Sequence, residues 1–258
     1  MMTKFDGHRA YEHIRQLAVN IGPRVMGSSG EKQATDYIQQ YFEELGLEVH
    51  EQAFDVETAF LMDHKLEIVE PALGEILSRP IMLTPGTPKD GVHGELVFVE
   101  GLSAPQVVPH VAGKIVLWSL GGASWLEGKD LFRHRPLALV IVGSAVGVKP
   151  KHFQLPTALV EPYDAVPAFF ITYEDGLRLV RSGAKEAWLR LDSEPGTGTS
   201  RNIIAELKGS DYPEEIIIVG GHHDTMPEIP GATDNASGVA LVMELARLYA
   251  TRGSKRTL

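Results

Sequence analysis

Residues Glu215–Gly221 read EIIIVGG. This run of four β-branched residues closed by two glycines constrains the chain more than any other feature. β-Branched side chains favour extended backbone. A continuous apolar run, as opposed to an alternating one, predicts a strand buried on both faces of a helix-covered sheet. A short strand is predicted just upstream over Asn202–Leu207. Downstream, Val239, Val242, Leu245, Ala246 and Tyr249 share one helical face. Strand, loop and helix in this order predict an α/β sheet.

The start of the chain is also helical in pattern. Tyr11, Ile14, Leu17, Ala18 and Ile21 recur at helical spacing. After the Gly22-Pro23-Arg24 turn, Ser28 and Glu31 form a capping-box pattern. The helix that it opens carries Ala34, Tyr37, Ile38, Tyr41, Phe42 and Leu45 on one face, with Gly46 as its stop. Glu48–Phe54 reads as a strand. From Thr58 to Glu194 the texture changes. Short β-rich runs (Lys65–Val69, Glu95–Val99, Lys114–Trp118, Leu139–Val142, Ala168–Thr172) are separated by Pro and Gly turns. Helices are predicted there only near Trp125–His134 and Asp175–Arg181. Asp192–Ser200 (DSEPGTGTS) reads as a linker. Three segments result: 1–57, the first helices and strand; 58–194, a separate β-rich module; and 195–258, the motif-bearing part of the α/β domain.

Composition narrows the function. Lys and Arg total 24 against 34 Asp and Glu, a net charge of −10. An acidic chain without a basic run is poorly suited to gripping phosphate backbones, so neither nucleic acid nor an anionic membrane is an expected partner. The absence of cysteine excludes disulfides, thiolate zinc sites, iron–sulfur clusters and a cysteine nucleophile. The longest apolar run, Leu137–Val148, is too short to span a bilayer and reads as a buried strand and turn. No signal peptide is read at the start, so the cytoplasm is the expected compartment. Secretion remains compatible with the lack of cysteine.

The chemistry-bearing stretch is Gly220–Gly238, GGHHDTMPEIPGATDNASG. It begins at the C-terminal end of the predicted strand, where open α/β sheets gather ligands. His222 and Asp224 are one residue apart, and Asp234 lies just before the helix. Imidazole nitrogen and carboxylate oxygen suit zinc, and a carboxylate behind the second ring nitrogen is the usual support for a histidine ligand. Taken alone, a His-x-Asp at a strand end reads as a structural pair more often than as a ligand. His223 is expected to face the other way, because extended backbone alternates its side chains. The histidines from His8 to His134, and His152, read as surface or capping residues. No Gly-x-Ser-x-Gly elbow is present, against a serine hydrolase.

GGHHDT followed by GATDNASG resembles the paired motif of the co-catalytic zinc aminopeptidases, the family of bacterial leucyl aminopeptidases, glutamate carboxypeptidase II and the transferrin receptor. The resemblance extends over most of the chain. GPRVMGSSGEKQATDYIQQYFEELGLEV is similar to the family's N-terminal helices, and SRNIIAELKGS to the approach to its first metal motif. GKIVLW, ALVIVGS and VPAFFITYEDG are similar to its inserted protease-associated domain. The resemblance implies a partial zinc-peptidase α/β domain carrying a β-rich protease-associated insertion. It further implies that His222 binds one of two zinc ions, that Asp234 bridges both, and that Asp224 orients His222. A cis peptide at Asp234–Asn235 is implied as well. In such chemistry two metals about 3.5–4 Å apart activate a shared water and clamp the developing oxyanion, a glutamate takes the proton, and the substrate is a peptide with a free amino group.

The family's Glu-Glu pair and its later ligands fall downstream of the bridging aspartate, where this chain offers no match. Glu43-Glu44 and Glu214-Glu215 stand in the wrong order to replace them. The expectation is therefore an N-terminal fragment of an aminopeptidase, inactive alone. The alternative is a non-catalytic peptide- or protein-interaction module on the same scaffold. A split enzyme completed by a second chain is a third reading; it predicts exposed apolar surface and self-association.

Overall fold

The computed structural model describes residues 4–100, 108–119, 129–150, 152 and 166–258. The chain divides into two units, Met1–Val56 with Thr197–Leu258, and Glu57–Gly196.

In the first unit, Asp6 caps α1 (Gly7–Arg15), its carboxylate accepting from the backbone N–H of His8 at 3.0 Å and of Arg9 at 3.4 Å. These are donors that no helical carbonyl can reach. The single helix expected through Ile21 is in fact divided: Gln16–Ile21 continues as a wider π-turn that buries Leu17 and Ala18. α2 spans Ser29–Glu44. Ser28 Oγ accepts from Glu31 N at 3.2 Å, as the capping pattern requires, but the Glu31 carboxylate accepts from Gly27 N at 2.6 Å instead of closing the box on Ser28. Leu17, Ala34, Ile38 and Phe42 pack with Ala236, Val239 and Met243, the last two lying on the helix Ser237–Arg252. Burying a side chain of the Leu, Ile, Phe or Met kind contributes about 1.5–3 kcal/mol.

Strand β1 runs unbroken over Glu48–Glu70, joining two stretches that the sequence separates. The predicted linker Asp192–Ser200 lies inside β8 (Glu186–Glu206). Part of its glycine content answers to packing, not to flexibility: a Cβ on Gly198 would stand 2.8 Å from Gly27 Cα. The larger correction concerns EIIIVGG. Only its start is a strand, β9 (Tyr212–Ile216), which pairs in parallel with β10 (Arg256–Thr257). Ile216, Ile217, Ile218 and Val219 are 67, 46, 90 and 49% exposed. A doubly buried strand needs partners on both edges and cover on both faces, and among the described residues β10 is the partner that this run pairs with.

The second unit does contain strands buried on both faces. β2 is Gly74–Glu75, β3 Ser78–Pro80, β4 Val92–Glu100, β5 Ile115–Ser119, β6 Ala138–Val142 and β7 Ala168–Ile171. The sheet order is β2-β1-β8-β4-β5-β6-β7-β3, parallel from β4 through β7. Ile115 and Leu117 enter one core while Val116 and Trp118 enter the other, the two-residue period of a covered strand. The short helices are α3 (Lys129–Arg133) and α4 (Tyr173–Ser182), with Ser237–Arg252 as α5. Residues 125–128 of the predicted helix lie outside the described residues. No helix among the described residues is long and apolar enough to cross a membrane.

Two histidines depart from the surface reading: His13 and His152 are buried. His13 Nδ1 lies 2.6 Å from the Tyr37 hydroxyl, and burial lowers its pKa. A histidine whose folded pKa is depressed contributes stability present above its unfolded pKa of about 6.5 and lost as pH falls below it. Urea unfolding of the wild type is expected to show falling stability from pH 7.5 to pH 5, with a shallower fall in His13→Gln. In the same assay at pH 7.5, Met243→Ala, at a fully buried site, is expected to cost about 2–5 kcal/mol. Ile218→Lys should stay within about 0.5 kcal/mol of wild type.

Candidate metal centre

The motif residues come together on loop and helix-entry backbone of the first unit. His222 Nε2 lies 2.9 Å from Asp234 Oδ1, and His222 Nδ1 lies 3.2 Å from Asp224 Oδ1. One imidazole thus stands between two carboxylates, the Asp224 contact fixing the ring from behind and the Asp234 contact on the open side. Asp234 is 87% exposed at its side chain and His222 53%. Asp234 sits within Ala232–Ala236, with non-helical φ −117° and ψ 94°, and the Asp234–Asn235 peptide is cis. Asn235 Oδ1 accepts from Gly238 N at 3.2 Å, tying the turn to the start of α5. Gly231 precedes it at φ +59°, and a Cβ there would meet Thr225 Cγ2 at 2.4 Å.

His223 makes its own contacts apart from this pair. Its Nε2 lies 3.0 Å from Arg201 O, and its Nδ1 3.9 Å from Glu31 Oε1. Glu31, Met26, Phe54, Ile203, His222 and Asp224 are among the residues around a cleft of about 160 Å³. The Glu31 carboxylate is buried, accepting from Gly27 N and from the Ser200 hydroxyl.

Sequence reasoning missed Arg24 and Thr225. Arg24 is fully buried. Its Nε donates to His223 O at 2.7 Å; its Nη1 lies 2.8 Å from the carbonyls of Leu17, Gly22 and Pro230; and its Nη2 donates to Gly231 O at 3.1 Å. Burial lowers its pKa, opposed by the charge of Asp224. Arg24 N donates to Thr225 Oγ1 at 2.8 Å and Thr225 N to Arg24 O at 3.0 Å. The only sequence signal was a charged residue directly after the Gly22-Pro23 turn.

The donor chemistry fits zinc as part of a site. A nitrogen and a carboxylate oxygen converge on exposed, unburied faces, and the far ring nitrogen is held by a second carboxylate. Among the described residues no group of three or more His, Asp or Glu donors converges; the pair offers two donors.

In sequence and in fold the chain is similar to known peptidases. Residues 202–258 match the family model described as Peptidase family M28. Aminopeptidase YwaD of Bacillus subtilis (strain 168) is 30% identical over 248 residues, covering 95% of this chain and 51% of the relative. Carboxypeptidase Q of Homo sapiens is 26% identical over 268 residues, 97% of this chain and 57% of the relative. The solved structure of a zinc aminopeptidase from Bacillus subtilis superposes with a TM-score of 0.79 at 27% identity, covering all of this chain and 61% of that one. The resemblance to zinc aminopeptidases is thus shared by sequence and by fold, a mixed α/β architecture with an eight-stranded sheet. The chain spans about half the length of the curated relatives it matches.

Glu31→Ala is expected to orphan two donors, the part-buried Gly27 N–H and the buried Ser200 hydroxyl, at a cost of about 1–3 kcal/mol for a fully buried donor. Thermal or urea unfolding against Glu31→Gln, which keeps acceptor oxygen in place, measures the difference.

Proposed function

We propose that this chain carries the first metal motif of a zinc-dependent aminopeptidase that removes N-terminal residues from peptides. The observation that carries the reading is the 2.9 Å approach of His222 Nε2 to Asp234 Oδ1 with Asp224 behind the ring, in a chain similar to zinc aminopeptidases over nearly its whole length. His222 and Asp234 would hold zinc, Asp234 as the bridge between two ions, and Asp224 would set the direction of the His222 lone pair. Zinc, when bound, supplies Lewis acidity that lowers the pKa of a water and stabilises developing negative charge. With zinc bound in place of the direct Nε2–Asp234 contact, Asp224 would accept from Nδ1 and leave the Nε2 lone pair to coordinate. The cleft walls of Met26, Phe54 and Ile203 offer apolar surface beside the donors.

Residues 58–194 are proposed to act as a protease-associated-type insertion. A catalytic zinc takes about three protein ligands, and among the described residues two donors converge here, so the 258 residues are proposed to be inactive in isolation. The exposed run Ile216–Val219 is proposed to support self-association or docking of a complementing chain. The compartment is proposed to be the cytoplasm.

Equilibrium dialysis with zinc followed by metal analysis tests the reading. Wild-type chain is expected to retain zinc, and His222→Ala and Asp234→Ala each to lose it. Equal retention by all three sinks the assignment of these donors. Turnover of a chromogenic leucine substrate by the isolated chain would overturn the proposed inactivity.

A further inference from the structure

A lysine or arginine buried in a protein core is ordinarily paired with a carboxylate. The hydrogen-bond partners of Arg24 are backbone carbonyls, and their places along the chain are informative. His223 lies between His222 and Asp224. Pro230 and Gly231 lie four and three residues before Asp234. Leu17 and Gly22 belong to the N-terminal helical segment and the turn after it. One guanidinium therefore reaches both ends of the loop on which the donors sit and anchors them to buried helix backbone.

We propose that Arg24 is the positioning residue of the His222–Asp234 pair, its guanidinium fixing the separation between the two ends of loop 222–234. A planar guanidinium presents five N–H groups in fixed directions, so carbonyls bound to its two edges cannot move independently. The reciprocal bridge from the Arg24 backbone N–H to Thr225 Oγ1 and from the Thr225 backbone N–H to Arg24 O ties the middle of the motif to the same residue. Gly231 has no side chain where a Cβ would stand 2.9 Å from Arg24 Nη2, which lets the guanidinium reach the loop backbone. A lysine carries the charge but cannot span the two ends, since its ammonium is a single point donor. The functional weight of this role rests on the zinc reading of the pair, whereas the geometry stands without metal.

The test compares wild type, Arg24→Met and Arg24→Lys, without metal and then with zinc. Hydrogen exchange across residues 222–234 is expected to rise about tenfold in both variants while α2 and α5 stay near wild type, because the opening is local. The His222 ring resonances are expected to move toward those of Asp234→Asn. Zinc affinity, measured by chelator competition, is expected to weaken by about 10–100-fold, Arg24→Lys falling between Arg24→Met and wild type. Unchanged loop exchange and ring resonances would overturn the proposal. So would exchange rising equally in α2 and α5, or failure of both variants to fold, since either result makes Arg24 a general packing residue. Absence of zinc binding by wild type would overturn the metal reading alone, because exchange and ring resonances are read without zinc.

Discussion

A buried cation bonded to carbonyls is the interaction on which the first unit depends. Taking a guanidinium out of water costs several kcal/mol even after relaxation. The carbonyl contacts of Arg24 offset that cost with charge-assisted hydrogen bonds, which are roughly twice as strong as neutral ones. These carbonyls would otherwise need partners of their own, since buried backbone acceptors are seldom left unpaired. The same contacts therefore satisfy the loop backbone and hold it against Leu17 and Gly22. Fold and candidate site share one device: the buried residue that gathers the loop carbonyls is also the one proposed to fix where the donors stand.

The second unit solves a simpler problem by simpler means. Its strands β5 and β6 are almost wholly apolar, and each sends alternate residues to opposite cores. Main-chain groups are consumed by sheet pairing on both sides, and side chains by two hydrophobic layers. No buried polar network is needed to specify such strands, because a shift of one residue would exchange the contents of the two cores. Trp118 and Leu117, neighbours in sequence, end in different cores for this reason.

What the sequence made legible follows the same division. Strands and helices with strong periodicity were readable: Ala138–Val142, Ala168–Ile171, Tyr173–Ser182 and Ser237–Arg252 lie where pattern placed them. The sequence singled out His222 and Asp224 by their spacing and Asp234 through the resemblance of its motif, and the structure brings the three side chains into contact. Three features were not readable. EIIIVGG has the composition of a covered strand, yet composition says nothing about whether cover is present, and Ile218 is 90% exposed. DSEPGTGTS has the composition of a linker, yet Gly198 is small because Gly27 backbone lies against it. Arg24 was invisible as an organiser because its partners are carbonyls, which every residue has and no motif records.

The exposure of the donor pair makes the hidden supports decisive. A polar contact as open to solvent as that between His222 and Asp234 contributes roughly 0–1 kcal/mol by itself, too little to hold a loop against the entropy of ordering it, about 1–2 kcal/mol per residue for backbone alone. The 2.9 Å approach is thus a consequence of the surrounding backbone and not its cause. Arg24 holds one side through Pro230 and Gly231, Asn235 closes the turn onto Gly238, and Asp224 holds the ring. Because these contacts form without the donors' own attraction, a cation held by the pair as proposed would replace their mutual contact with little rearrangement. A pair held together only by its own charge would have to be built anew around each ion.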